Sequence, residues 1–209
     1  MKNSRLITLL LVIGLAFICL SFNEIKNNER EIRSFKLKDV SNKIISLDDY
    51  KDARGFVIVF TCNKCPMAKL YTERMNRINE IYKKQHIYLI AINSMDTLAY
   101  AEESFKQMQK KASKDKLTFP YLQDKKQTVA KQFGATHTPQ AFIIWKNIDH
   151  KFSIKYQGAI DDNASEPKKA NPLLINSLEE LLNNKSITNP ITESFGCKIF
   201  IRGEKQKMN

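Results

Sequence analysis

The chain has 209 residues, 43% of them apolar, with only 6 glycines and 6 prolines, which suits one globular domain with additional segments at its ends. A formal charge of +12 arises from 34 basic against 22 acidic side chains and favours solubility and attraction to anionic surfaces. The lysines are scattered as pairs (Lys83-Lys84, Lys110-Lys111, Lys125-Lys126, Lys168-Lys169) rather than set beside aromatic stacking residues, which argues against a nucleic-acid partner.

Lys2 and Arg5 precede an uncharged apolar run from Leu6 to Leu20, the basic start and apolar length of a secretory signal. The run is short for a membrane span. Cleavage after Ser21 puts the small residues Cys19 and Ser21 at the −3 and −1 positions, and an uncleaved anchor tethering the domain to a membrane through residues 6–20 is the alternative. Ile18 disfavours a lipidated Cys19. Residues 1–21 are therefore expected to be a signal peptide or anchor, and the domain to lie in the periplasm or cell envelope. Thiols there are oxidised unless kept reduced. A chain that loses Cys19 keeps Cys62, Cys65 and Cys197, an odd number that argues against a simple disulfide-stapled scaffold.

Residues 22–34 are polar and charged and read as a linker, with the domain beginning at Phe35. "FKLKDVSNKIISL" alternates apolar and polar residues around Ser41-Asn42, predicting two short strands joined by a turn. Phe56 to Phe60, "FVIVF", has the pattern of a strand covered on both faces. From Pro66, the spacing of Met67, Leu70, Tyr71, Met75, Ile78, Ile81 and Tyr82 predicts one amphipathic helix of about four or five turns. "IYLIAI" (87–92) is a buried strand. Glu102 to Lys114 repeats the helical period through Phe105, Met108 and Ala112, and "FPYLQD" (119–124) is a short extended piece. A short helix at Thr128 to Phe133, strands at 141–145 and 152–158, and a closing helix at Leu173 to Leu182 complete the series. Alternating strands and helices imply an α/β fold, a central sheet with helices on both faces.

Cys62 and Cys65 in "FTCNKCPMAK" have a spacing shared by zinc sites and redox dithiols. Their place at a strand-to-helix junction favours a dithiol over buried filler or a static disulfide. A cysteine reacts as thiolate, and one at a helix N-cap faces unpaired N–H groups and the positive end of the helix dipole. Cys62 is expected at that cap with Lys64 adding positive charge, which would set its pKa below the free value of about 8.5. Cys65, one turn on, is placed to attack a mixed disulfide.

A buried strand running into C-x-x-C at a helix start, with Thr138-Pro139 ahead of a later strand, resembles the thioredoxin superfamily. The leading hairpin and the helical insertion after "IYLIAI" are similar to its redoxin branch, of the alkyl hydroperoxide reductase/thiol-specific antioxidant type, over residues 35–183. "CNKCP", "AINSMD", "SFKQM", "FPYLQD", "THTP", "GAIDDN" and a late "FGCKI" resemble a poorly characterised thioredoxin-like family of that branch. The resemblance implies a thioredoxin-like three-layer sandwich, a central mixed β-sheet flanked by helices with an N-terminal hairpin and a helical insertion. It implies a thiol-disulfide oxidoreductase of the cell envelope, with Cys62 as nucleophile and Cys65 as resolving thiol. Its partners would be protein dithiols or disulfides and a thiol-disulfide electron donor or acceptor, with no cofactor and no metal. Thr138-Pro139 corresponds to the cis-proline loop, where the residue before proline pairs with an extended substrate. His137 beside it is a candidate proton shuttle or a solvent-exposed loop residue. Cys197, in the extension 184–209, is by the same resemblance a third redox thiol or a resolving partner for Cys62, with an idle thiol as the alternative.

Two features depart from the thioredoxin pattern. Thr61 stands where thioredoxins carry tryptophan, altering the docking surface. "FVIVF" has no acidic residue, so the buried carboxylate that assists proton transfer has no counterpart there. Asp161 and Asp162 are candidates to replace it, though they read better as exposed turn residues.

Two other functions compete. Cys65-Pro66 resembles the peroxidatic pair of peroxiredoxins, but the Pro and Thr expected seven and three residues earlier are Ile58 and Cys62, and no arginine occurs between Arg77 and Arg202. Cys62, Cys65 and His137 offer soft ligands for Cu(I), similar to redoxin-fold copper chaperones, although those carry C-x-x-x-C.

Overall fold

The computed structural model describes residues 30–203; the expected signal or anchor lies outside the described residues. In chain order the elements are β1 (Glu31–Ile32), β2 (Lys36–Asp39), β3 (Ile44–Ser46), β4 (Gly55–Phe60), α1 (Pro66–Leu70), α2 (Thr72–Tyr82), β5 (Ile87–Asn93), α3 (Phe105–Lys114), β6 (Tyr121–Gln123), α4 (Thr128–Phe133), β7 (His137–Thr138), β8 (Gln140–Lys146), β9 (Phe152–Gly158), α5 (Leu173–Leu182) and β10 (Cys197–Lys198). An eight-stranded sheet runs β1-β9-β8-β4-β5-β6-β2-β3, and β10 pairs with β7 in a separate ribbon. β4 pairs parallel with β5 and antiparallel with β8, so the sheet is mixed and β4 lies in its interior.

The apolar run of β4 is explained by its two faces. Val57 and Val59 join Met75, Ile78, Leu174 and Leu178 of α2 and α5 in one core. Phe56, Ile58 and Phe60 point the other way, with Val129, Ala130 and Phe133 of α4. Successive side chains of a strand alternate between faces, so a strand sandwiched between helices has no polar side. Phe60, Phe133 and Phe142 meet edge to face, with centroids 5.2 to 5.6 Å apart, a favoured aromatic geometry. The result is the three-layer α/β sandwich expected from the sequence.

Four local features differ from the reading of the sequence. Glu31 and Ile32, within the expected linker, pair with Ser153 and Phe152 as an edge strand. Ile32 is buried in the second core, one apolar residue that a polar run conceals. The helix from Pro66 is interrupted at Tyr71, whose N–H bonds Ala68 O three residues back and whose phenol bonds Asp161. The helix expected from Glu102 begins instead at Phe105; Ala101–Glu103 is a 3-10 turn ended by an extended Ser104. Asp161, read as an exposed turn residue, is buried and paired with Arg74 at 2.7 Å, whereas Asp162 is exposed.

Beyond α5 the chain returns across the sheet as a strap. Gln157 N donates to Pro190 O (2.9 Å) and Thr192 N to Gln157 O (3.0 Å). Thr192 Oγ1 is shared with Tyr156 Oη at 2.7 Å and accepts Ala159 N at 3.1 Å. β10 then pairs Cys197 with Thr138 and Lys198 with His137. Past it, Ile199 N donates to Thr136 O (2.8 Å) and Gln127 Nε2 to Phe200 O (2.8 Å). Gly196 permits the approach: a Cβ there would stand 2.2 Å from Thr138 O, and its φ of +139° favours glycine. No helix among the described residues is long and apolar enough to cross a membrane.

Candidate active site

Cys62 follows the C-terminal end of β4, and Cys65 is the N-cap residue of α1. The helix starts at Pro66, where the spacing of apolar residues predicts it, so Cys65, not Cys62, holds the cap. Thr138, in the β7 loop, brings the two together. Its hydroxyl lies 3.2 Å from Cys62 Sγ, and its carbonyl accepts from the Cys65 thiol at 3.3 Å. The Thr138–Pro139 peptide is cis. Cys62 and Cys65 are 1% and 3% exposed, Cys197 is half-buried, and all three thiols are free.

The electrostatics reverse one expectation. Burial pushes the Cys62 thiol up to about 12, with Glu103 and Cys65 adding to the rise and the Thr138 hydroxyl only partly opposing it. A thiol removed from water loses the solvation of its thiolate. Lys64, expected to lower this pKa, instead pairs with Glu102 at 2.6 Å, with its side chain in solvent. Burial also works against the Cys65 thiolate. There, however, the Cys197 thiol and the backbone amides of Ala68, Cys197 and Met67 outweigh it and hold Cys65 below its ordinary value. Cys197 is pushed up to about 11, first by burial and then by Cys65.

Glu103 is the site residue that sequence reasoning missed. At 2% exposure, its carboxylate accepts Asn63 N at 2.7 Å, Lys64 N at 3.0 Å and Asn93 Nδ2 at 2.8 Å. It therefore ties down the two residues between the cysteines. Asn63 Oδ1 accepts the Tyr121 hydroxyl at 2.9 Å, extending the network. Charge-assisted bonds of this kind offset the cost of burying a carboxylate. The buried carboxylate absent from β4 is thus supplied by the 3-10 turn before α3. The signal was an acidic pair, Glu102-Glu103, which reads equally well as charge at a helix N-terminus.

His137 accompanies Thr138 on β7, with Nδ1 2.9 Å from Thr136 Oγ1. Burial, and then Lys198 opposite, lower its pKa, with Glu193 opposing. Thr61 is buried and presents no docking surface. Among the described residues, no group of three or more His, Cys, Asp and Glu side chains is gathered to hold a metal. A cavity of about 280 Å³ opens over the sulfurs, lined by Cys62, Cys65 and Glu103 on one side, Met95 and Tyr100 on another, and Cys197 and Phe200 of the strap.

A sheet sandwiched between helices, with a C-x-x-C at the end of a central strand facing a cis-proline loop, defines a thioredoxin-like protein. The chain belongs to the AhpC/TSA family, whose model matches residues 29–154. It is 28% identical over 113 residues to the thiol-disulfide oxidoreductase ResA of Geobacillus thermodenitrificans, covering 54% of this chain and 60% of that protein. It thus spans less than two thirds of that curated relative. Among solved structures, an uncharacterized conserved protein from Geobacillus kaustophilus superposes with a TM-score of 0.74 at 30% identity, over 85% of this chain and 93% of that one. A hypothetical protein from Sinorhizobium meliloti 1021 also gives 0.74, at 28% identity over 82% and 92%. DsbE, a thiol:disulfide interchange protein from Chlorobium tepidum, gives 0.51 at 18% identity over 62% and 82%, a likeness of fold alone.

Proposed function

We propose that Cys62 and Cys65 form the dithiol/disulfide couple of an extracytoplasmic thiol-disulfide oxidoreductase acting on protein thiols. The observation that carries this reading is the convergence of both sulfurs on Thr138, through its hydroxyl and its carbonyl. In the closed, reduced arrangement Cys65 is the more readily ionised of the two thiols and Cys62 stays protonated, since burial is the largest cause of its raised pKa. Attack by Cys62 therefore belongs to a form in which its cover has lifted. There its thiolate adds to one sulfur of a substrate disulfide and releases the other as thiol. Cys65 thiolate then attacks Cys62 Sγ, closing the Cys62–Cys65 disulfide and expelling the second substrate thiol.

The test is the equilibrium potential of the pair in full-length protein, alongside disulfide exchange by wild type and Cys62→Ser. A value near about −270 mV marks a reductant and one near about −120 mV an oxidant. Folded wild-type protein that exchanges with no disulfide substrate would rule the reading out.

A further inference from the structure

The strap beyond α5 occupies the edge of β7 that, in the reading above, an extended substrate would use. Cys197 pairs with Thr138 in antiparallel register, and Thr138 Oγ1 donates to Cys197 O at 3.3 Å. The segment is built to reach this position: Gly196 alone leaves room beside the Thr138 carbonyl, Ile199 is buried in a core, and Thr192 anchors the approach. The backbone of the strap thus lies where a substrate backbone would lie, and it carries a cysteine. That cysteine packs with Cys62, Cys65 and Ala68, its thiol and backbone amide both acting on the Cys65 sulfur.

We propose that Cys197 is a third redox-active residue and that its partner is Cys65: the strap acts as a tethered substrate that takes over the disulfide as Cys65–Cys197. The inference rests on the couple proposed above. In the exchange, Cys197 thiolate attacks Cys65 Sγ, the Cys65–Cys197 bond forms, the Cys62–Cys65 bond breaks, and Cys62 leaves as a thiolate that takes up the proton Cys197 gave away. No electrons are gained or lost. The disulfide moves from two sulfurs hidden from solvent to a pair of which one is half-buried at the rim of the cavity. An external thiol can then attack Cys197 and expel Cys65, whose thiolate the backbone amides of Ala68, Cys197 and Met67 stabilise; a stabilised thiolate leaves faster. The partner of Cys197 is thus Cys65, in place of the Cys62 suggested by resemblance.

The experiment equilibrates the full chain in glutathione buffers of graded ratio, quenches with acid, alkylates, digests without reduction and maps the cross-linked peptides by mass spectrometry. Wild type is expected to show Cys65–Cys197 beside Cys62–Cys65. In Cys62→Ser, Cys65–Cys197 becomes the main species, exceeding the glutathione adducts by about tenfold or more, because a tethered thiol has a high effective concentration. Gly196→Ala, which pushes the strap off Thr138 without altering a sulfur, lowers the Cys65–Cys197 yield by about tenfold and leaves Cys62–Cys65 in place. The inference is overturned if Cys197 stays free or glutathionylated both in wild type that has formed Cys62–Cys65 and in Cys62→Ser, or if Gly196→Ala cross-links as wild type does. A wild type that forms neither disulfide overturns the couple itself.

Discussion

Thr138 and Cys197 face each other across the β7–β10 ribbon, and the same threonine touches both sulfurs of the C-x-x-C pair through its two oxygens. Of the two sulfurs the hydroxyl reaches only Cys62, stabilising its thiolate against a burial that does the opposite, and it also donates to Cys197 O. Thr138→Val keeps the shape and removes both contacts. Its expected effect is a still higher Cys62 pKa, read as alkylation by iodoacetamide that begins at higher pH than in wild type. An unchanged profile would mean that the hydroxyl does not act on the sulfur.

Glu103→Gln changes the same thiol in the opposite direction. The carboxylate raises the Cys62 pKa, so a neutral amide lowers it and alkylation begins at lower pH. The amide also turns an N–H toward donors that Glu103 now accepts. A destabilisation of about 1–3 kcal/mol follows from a buried donor left unpaired, measurable by urea unfolding.

Arg74 and Asp161 offer a test remote from the sulfurs. Their side chains are 14% and 7% exposed, and Asp161 also accepts the Tyr71 hydroxyl at 2.8 Å. Arg74→Met strands the carboxylate in the interior and is expected to cost about 3 kcal/mol. Denaturant midpoints of wild type and variant measure it, and a loss below about 1 kcal/mol would place the pair with surface ion pairs.

His137 makes stability depend on pH. Its folded pKa lies below the unfolded value of about 6.5, because burial and then Lys198 oppose its charge while Glu193 favours it. The unfolded chain therefore binds the proton first. The stability associated with this group is complete above about pH 6.5 and is lost as pH falls through the folded value. Urea midpoints of wild type should drop between about pH 7.5 and 5.5, and His137→Gln should flatten that drop.

Sequence patterns made the core legible because burial on two faces leaves a continuous apolar run, as in β4, and burial on one face leaves a helical period, as in α2 and α5. Ends and short pairings left weaker traces. β1 is two residues with one buried side chain, and β10 is two residues held by backbone bonds, which no side-chain pattern records. At the site, the C-x-x-C and the Thr-Pro were visible as chemistry. The helix start was visible too, but its cap was assigned to the wrong cysteine: Pro66 suits a first helical position and leaves the preceding Cys65, not Cys62, as cap. Glu103 was hidden by its own neighbour: two adjacent glutamates look alike in a sequence, yet one turns outward to Lys64 and the other inward to the backbone of Asn63. The pKa of Cys62 depends on what covers it, and that cover comes from a remote part of the chain.

That remoteness bears on how the protein folds. Cys62 and Thr138 lie 76 residues apart in sequence, and Thr138 and Cys197 a further 59. Closing loops of this length adds little to the entropic cost, about 0.6 kcal/mol per doubling, but contacts between distant residues form slowly. The helix bearing Cys65 needs only neighbouring residues, whereas the ribbon that shields the dithiol needs three separated segments in register. The dithiol therefore stays open to an external oxidant until the three segments have met, and is shielded from it once they have.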